Sequence, residues 1–239
     1  MQSGYGQWDP SGRRLLFPRL ATGFEVRSPR GRLLRRFPVD ELYWPSWAPD
    51  GRRIVAIEAR DPQRRLVVLR PGGRVMRRMA LGVAAGQSAS LPRWSPAGRW
   101  VVYEEATPAG LFLRRIDATD GSGDRRLGTG RMPAWAPAGE RVAFADGPDV
   151  FTMRPDGSGR RRVAGSRRRD AWIASVAWSP DGRRIAFVRQ DSRFAHDSST
   201  LITIPSGGGA ETVHRRTEQF VSGIDWQPRR ALATMSPWR

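Results

Sequence analysis

Apolar residues in this chain fall into short runs, and the runs keep step with a tryptophan. Leu15–Phe17, Ile54–Ile57, Val101–Tyr103, Val142–Phe144 and Ile185–Val188 each begin seven residues after a Trp. A strand with one wet face alternates apolar and polar residues, so unbroken runs of β-branched and aromatic residues predict strands covered on both faces. Between each Trp and its run lies Trp-x-Pro-x-Gly: WDPSG at Trp8, WAPDG at Trp47, WSPAG at Trp94, WAPAG at Trp135 and WSPDG at Trp178. Proline presets φ for the first central position of a tight turn, and glycine closes the turn in the left-handed region. Two strands joined this way run antiparallel. Each Trp, large and set just before the turn, is placed to wedge between adjacent sheets, with its N–H reaching a backbone carbonyl.

The rest of each unit supplies two more strands. LATGFEVR with RGRLLRRF, RRLVVLR with GRVMRRMA, LFLRRID with DRRLG, DVFTMR with GRRRVA, and TLITIP with GAETVHR are pairs separated by Gly-rich hairpin turns. Successive Trp residues stand 39, 47, 41, 43 and 48 apart when the sixth, decayed copy WQPRR at Trp226 is counted. That period belongs to a four-stranded antiparallel unit, and such units repeated radially make a β-propeller. The predicted fold is therefore all-β: a propeller with five nearly complete blades and a partial sixth. Only seven residues precede Trp8 and thirteen follow Trp226, leaving the last unit FVSGIDW and RALATM as its strands. The expectation is a ring closed imperfectly by a thin sixth blade, or a piece of a longer protein. An open edge there offers a route to oligomers.

The string WSPDGRRIAFV at Trp178–Val188, with its four relatives, resembles the repeats of TolB-type, WD40-like propellers, the PD40 repeats. True WD40 blades fit less well, since Gly-His is absent and the only Trp-Asp, Trp8-Asp9, sits inside the turn motif. The resemblance runs from about Gln7 to Met235 and implies a six-bladed fold. It also implies a non-enzymatic protein-interaction module of the bacterial cell envelope, periplasmic or extracellular, that docks peptide segments or lipoprotein partners. The chain departs from the full TolB pattern in lacking a separate N-terminal α/β domain. Blades of this kind also form the propellers of prolyl-oligopeptidase-like serine peptidases, so an orphan peptidase propeller is the alternative.

Length fits a single propeller domain over residues 1–239. Cysteine is absent, which removes disulfides and thiolate metal sites. No apolar run approaches the roughly 18 residues of a membrane span, and the first residues lack the basic and apolar regions of a secretory signal. A cytoplasmic chain therefore stays open beside an exported one. The net charge of +18 invites a nucleic-acid partner. Yet all 41 basic residues are Arg, with no Lys and no Asn, a pattern that a G- and C-rich genome produces by itself. Many of these Arg residues also recur at the turn-to-strand junction or on outer strands, where charge discourages edge pairing. One stretch exceeds this background: Gly157–Trp172, whose Arg167, Arg168 and Arg169 form a candidate anion patch.

Catalysis finds little support. His196 and His214 are the only histidines, no Gly-x-Ser-x-Gly accompanies them, and the absence of Lys removes a Walker-type phosphate loop. Asp117, Asp120 and Asp124 do not have EF-hand spacing and read as a polar hairpin turn. No catalytic, cofactor or metal residue is assigned. Binding remains, and loops on a rigid scaffold are where recognition is carried. The Trp-turn face is nearly invariant from unit to unit, which makes it the face least suited to binding. Opposite it, the variable loops bring Glu41, Tyr43, Trp44, Arg93, Arg131, Trp172 and Phe220 to the expected channel mouth. These are the candidate contacts for a protein or peptide ligand.

Overall fold

The five Trp-x-Pro-x-Gly turns close identically. The glycine N–H of Gly12, Gly51, Gly98, Gly139 and Gly182 donates to the carbonyl three residues back, at 2.8–3.0 Å. All five glycines have φ between 63° and 81°, a region that strains a side chain. The residue after each Trp then donates its N–H to the carbonyl five residues on, starting the ladder of the next strand.

The computed structural model describes residues 6–19, 23–37, 41–59, 63–166, 171–193 and 196–228. Blade 1 holds β1 (Gln7–Trp8), β2 (Leu15–Arg19), β3 (Gly23–Arg27) and β4 (Leu33–Phe37). Blade 2 holds β5 (Leu42–Trp47), β6 (Ile54–Glu58), β7 (Arg65–Leu69) and β8 (Val75–Ala80). Blade 3 holds β9 (Ser88–Trp94), β10 (Trp100–Thr107), β11 (Gly110–Asp117) and β12 (Arg125–Thr129). Blade 4 holds β13 (Arg131–Trp135), β14 (Val142–Asp146), β15 (Asp149–Met153) and β16 (Arg161–Gly165). Blade 5 holds β17 (Ala171–Trp178), β18 (Arg184–Arg193), β19 (His196–Pro205) and β20 (Thr212–Thr217). Each blade is one sheet with strands in chain order, and every neighbouring pair is antiparallel.

The core is divided among the blade interfaces. One apolar cluster joins blades 1 and 2 through Leu16, Phe24, Trp47 and Ile54. A second joins blades 2 and 3 through Ile57, Leu66, Trp94 and Tyr103. A third joins blades 3 and 4 through Val102, Leu113 and Phe144, and a fourth joins blades 4 and 5 through Val150, Trp178 and Phe187. Four of the five tetrad tryptophans, Trp47, Trp94, Trp135 and Trp178, belong to these interfaces. Trp135 donates its indole N–H to the Arg93 carbonyl at 3.0 Å, and Trp178 donates to Ala134 at 3.1 Å. Trp47 and Trp94 bury the same group without a partner, so the expected carbonyl contact is made at two of these four copies.

The junction arginines do more than charge an edge. Arg14 lies over the ring of Trp47 at 4.7 Å and Arg53 over that of Trp94 at 4.9 Å, each bracing the following blade. Charge is balanced locally in the same manner. Burial would raise the Glu25 carboxyl, but hydrogen bonds and charge from Arg27, Arg36 and Arg19 hold it below the ordinary range. Glu105 is held down in the same way by Arg126 and Arg114.

The partial sixth blade is not present: the described residues form five four-stranded sheets and no sixth. The expected inner strand FVSGIDW has no strand partner, and residues 218–228 take no ladder hydrogen bonds. RALATM lies outside the described residues. In its place lies a single segment without strand structure, held by side chains. Ile224 N–H donates to Ser175 Oγ of blade 5, and Asp225 accepts from the Trp8 N–H of blade 1 at 2.8 Å. Gln227 reaches the Gly12 carbonyl. A β-carbon on Gly12 would stand 2.9 Å from the Pro228 carbonyl, whereas the other tetrad glycines pack on the proline of the preceding turn. Trp226–Pro228 thus fills the place of a sixth turn without a sheet behind it. Burial agrees: Leu15 and Phe17 of β2 are only half-buried, whereas the matching residues of blades 2 to 5 are buried.

Candidate functional site

Three inner strands carry the same defect. Trp44, Leu91 and Met132 have φ of 51°, 47° and 54°, each three residues before a tetrad Trp and each followed by proline. Proline disfavours the right-handed helical region for the residue before it and offers no N–H to a ladder. The strand bulges, and the register shifts at each point. A non-glycine residue at positive φ costs on the order of 1–3 kcal/mol and persists only where its surroundings hold it. The sequence signal is Pro-x-Trp in WPSW, LPRW and MPAW, which the repeat reading passed over.

Glu104 is the group that holds one of these bulges. It projects from β10 of blade 3, is buried, and accepts hydrogen bonds from the Met132 N–H of blade 4 and from Ser90 Oγ at 3.0 Å. Burial pushes its carboxyl up, while those two bonds and the nearby charges of Arg131 and Arg93 oppose the shift. Arg93 faces a central cavity of about 220 Å³ shared by the inner strands, the tetrad tryptophans, Ser175 and Asp225. Asp225 is open to this cavity yet ringed by protein. Lost hydration raises its carboxyl to about 6, against the pull of the Trp8 N–H and the Arg93 charge.

At the strand-entry rim of the ring, three expected residues come together. The Arg131 guanidinium lies 5.1 Å from the Trp172 ring centroid, and Trp172 meets Phe220 at 5.8 Å, tilted by 37°. Arg131 opens β13, Trp172 lies near the start of β17, and Phe220 belongs to the segment in the sixth place. Phe220 is 52% exposed, although its flanks are fixed. Val221 N–H donates to Ser199 Oγ at 2.9 Å, Gln190 Nε2 donates to the Val221 carbonyl at 2.9 Å, and Ser199 Oγ lies 2.7 Å from the Gln219 carbonyl. In blade 2, Tyr43 and Trp44 pair at 5.6 Å, and Trp44 also packs on the core between blades 2 and 3. Glu41, at φ 64°, accepts the Ala59 N–H through its carbonyl. Arg93 sits apart from these, in the cavity.

Arg167, Arg168 and Arg169 lie outside the described residues. His214 is on β20, an outer strand, 2.8 Å from Thr203 Oγ1. The three aspartates do not converge: Asp117 pairs with Arg99, Asp120 caps Ser122, and Asp124 binds Tyr103 and Arg114. Among the described residues no group of three or more His, Cys, Asp or Glu stands close enough to hold a metal. No described helix is long and apolar enough to cross a membrane. The turn face, expected to be the blander one, carries concave surface too: Pro49 and Pro96 of two tetrad turns line the central cavity.

Five four-stranded sheets, each with a Trp-x-Pro-x-Gly turn between its first two strands, define a β-propeller, and the chain is similar to TolB-type propellers. No protein-family model matches it. It is 26% identical over 163 residues to an uncharacterized protein of Agrobacterium fabrum, covering 62% of this chain and 54% of the relative. It is 30% identical over 121 residues to a protein TolB homolog of Chlorobium luteolum, covering 48% of this chain and 27% of the relative. The chain therefore spans about half or less of the length of these curated relatives. Among solved structures it is similar to one assigned to TolB from Agrobacterium tumefaciens, with TM-score 0.74, 19% identity, 94% of this chain and 86% of that one. TolB from Acinetobacter baumannii gives TM-score 0.67 at 16% identity, over 85% of this chain and 52% of that one. An oligogalacturonate lyase in complex with manganese gives 0.61 at 13% identity, over 89% and 65%. At these identities the structures speak for the fold.

Proposed function

We propose that this propeller is a non-enzymatic scaffold that binds a peptide segment of a partner protein across the rim formed by Arg131, Trp172 and Phe220. One observation carries the reading: a half-exposed aromatic pair capped by a guanidinium, built from three successive places in the ring and rigid at its most exposed member. Aromatic and arginine side chains on a fixed frame lose little conformational freedom on binding and dominate binding energies. Tyr43, Trp44 and Glu41 extend the same rim in blade 2, and Arg93 lies where a side chain entering the cavity would meet a cation. The lyase neighbour shares the blade arrangement, and this reading takes no chemistry from it.

Peptides selected from a random display library on the immobilised protein test the proposal. Phe220→Ser, with Trp172→Ala as a second variant, is expected to weaken the selected peptides about thirtyfold, the worth of a central aromatic contact of about 2 kcal/mol. Unchanged affinity in both variants, or a library that yields no binder, would overturn it.

By the resemblance to TolB-type repeats, we place the protein in the cell envelope. Recovery of the epitope-tagged protein from its natural host in the osmotic-shock fraction is the expected result. Retention inside spheroplasts would defeat that location.

A further inference from the structure

Between the outer strand of blade 1 and the two turns of blade 2 runs a groove of about 850 Å³. Six arginines line it: Arg14, Arg35, Arg52, Arg53, Arg70 and Arg74, with Asp50 as the only acid. Three are tethered: Arg14 to Asp9, Arg53 to Asp50, and Arg35 against the ring of Phe37. The side chains of Arg52, Arg70 and Arg74 have no hydrogen bond or ion pair among the described residues. Their charges line the groove without an ion-pair partner among the described residues, so the groove presents a positive surface that attracts an anion.

The groove is also apolar beneath the charges. Val26 and Phe37 are buried in its wall, while Leu34 and Met76 lie 42% and 49% exposed. Leu33, beside Leu34 on β4, is exposed to the same degree. These are three of the five large hydrophobic side chains most exposed among the described residues. Genomic base composition accounts for arginine in place of lysine, but not for six of them gathered over an apolar floor. Corresponding hairpins of blades 3 and 4 differ, although that of blade 1, Ser28-Pro-Arg-Gly-Arg32, is also free of acids. Blade 3 has Asp117, Asp120 and Asp124, and blade 4 has Asp156, whereas the blade 2 hairpin reads Arg70-Pro-Gly-Gly-Arg74.

From this arrangement we infer that the groove docks an acidic peptide segment with interspersed apolar side chains, at a site separate from the rim. The carboxylates meet Arg52, Arg70 and Arg74, and the apolar side chains cover Leu34 and Met76. A nucleic acid would satisfy the charges while leaving that floor without a matching surface, and inorganic phosphate would leave most of the groove empty.

A labelled twelve-residue peptide of repeated Asp-Glu-Leu-Asp-Glu-Phe is the probe, titrated against the whole protein at low and moderate salt. An all-glutamate twelve-mer, a single-stranded thymidine twelve-mer and inorganic phosphate are compared with it. Arg52→Ser, Arg70→Ser and Arg74→Ser together are expected to weaken the probe at least tenfold, with thermal melting unchanged because none of the three is tethered. Leu34→Ser with Met76→Ser is expected to weaken the Leu- and Phe-containing probe severalfold and leave the all-glutamate peptide unaffected. Phe220→Ser, which tests the rim, leaves the probe unaffected here, so the two sites fail separately. Equal binding of the thymidine oligomer, insensitivity to the triple arginine change, or indifference of the probe to the Leu34 and Met76 pair would each overturn the inference.

Discussion

Trp178→Ala is expected to cost about 3–5 kcal/mol, the range for deleting a buried indole or phenyl ring. Trp178 is buried in the cluster joining blades 4 and 5, and its N–H bond to Ala134 ties blade 5 to the inner strand of blade 4. Removing it opens a cavity and leaves the Ala134 carbonyl without its donor. Trp226→Ala, at the decayed sixth copy, gives the contrast. That indole is half-buried, its N–H has no partner, and no sheet stands behind it, so a loss of about 1 kcal/mol is expected from the smaller area. Urea unfolding midpoints at constant slope report both values. Equal costs would mean that the segment in the sixth place carries as much of the fold as a blade interface.

The repeat was legible because its causes are local. Turn closure depends on Pro and Gly at fixed offsets, and two-sided burial depends on an unbroken apolar run, so both write themselves into a few consecutive residues. The sixth place was misread because a strand requires a partner that lies elsewhere in the chain. FVSGIDW has strand-like residues, yet its bonds go to Ser175, Trp8 and Ser199 through side chains. The meeting of Trp172 and Phe220 could be anticipated, since each stands six residues before its repeat Trp and equal offsets place residues at equal heights around the ring, whereas Arg131, four before Trp135, does not share that offset. Glu104 could not be found in this way. Its counterpart in blade 2 is Ile57 and in blade 4 Ala145, so no repetition points to it, and its partner Met132 belongs to the next unit. The blade 1–2 groove was likewise hidden, because its arginines come from four separate segments of sequence.

Glu104→Ala is expected to destabilise by about 3 kcal/mol. The change strands two part-buried donors, the Met132 N–H and the Ser90 hydroxyl, and removes a carboxyl that interacts with Arg131 and Arg93. Glu104→Gln behaves differently. Its carboxamide oxygen still accepts from Met132, and the Ser90 hydroxyl can rotate to accept from the new NH2, so the cost near neutral pH is about 1 kcal/mol or less. The pair also predicts a pH effect of definite sign. Burial raises the Glu104 carboxyl in the folded state, so the folded protein holds that proton more tightly than the unfolded chain does. Wild-type stability therefore falls relative to Glu104→Gln as pH rises from the unfolded carboxyl value, about 4.3, through the raised folded value. Carboxylates held low by arginine, such as Glu25 and Glu105, act in the opposite direction but are common to both proteins and cancel in the difference. Unfolding midpoints of the two proteins between pH 4 and 8 are expected to shift in favour of Gln as pH rises; a constant difference would show that Glu104 titrates normally. Because Met132 follows Arg131 directly, losing the bulge support in Glu104→Ala should also weaken peptides selected on the rim. Glu104→Gln should leave them bound, which separates positioning of Arg131 from the charge of Glu104 itself.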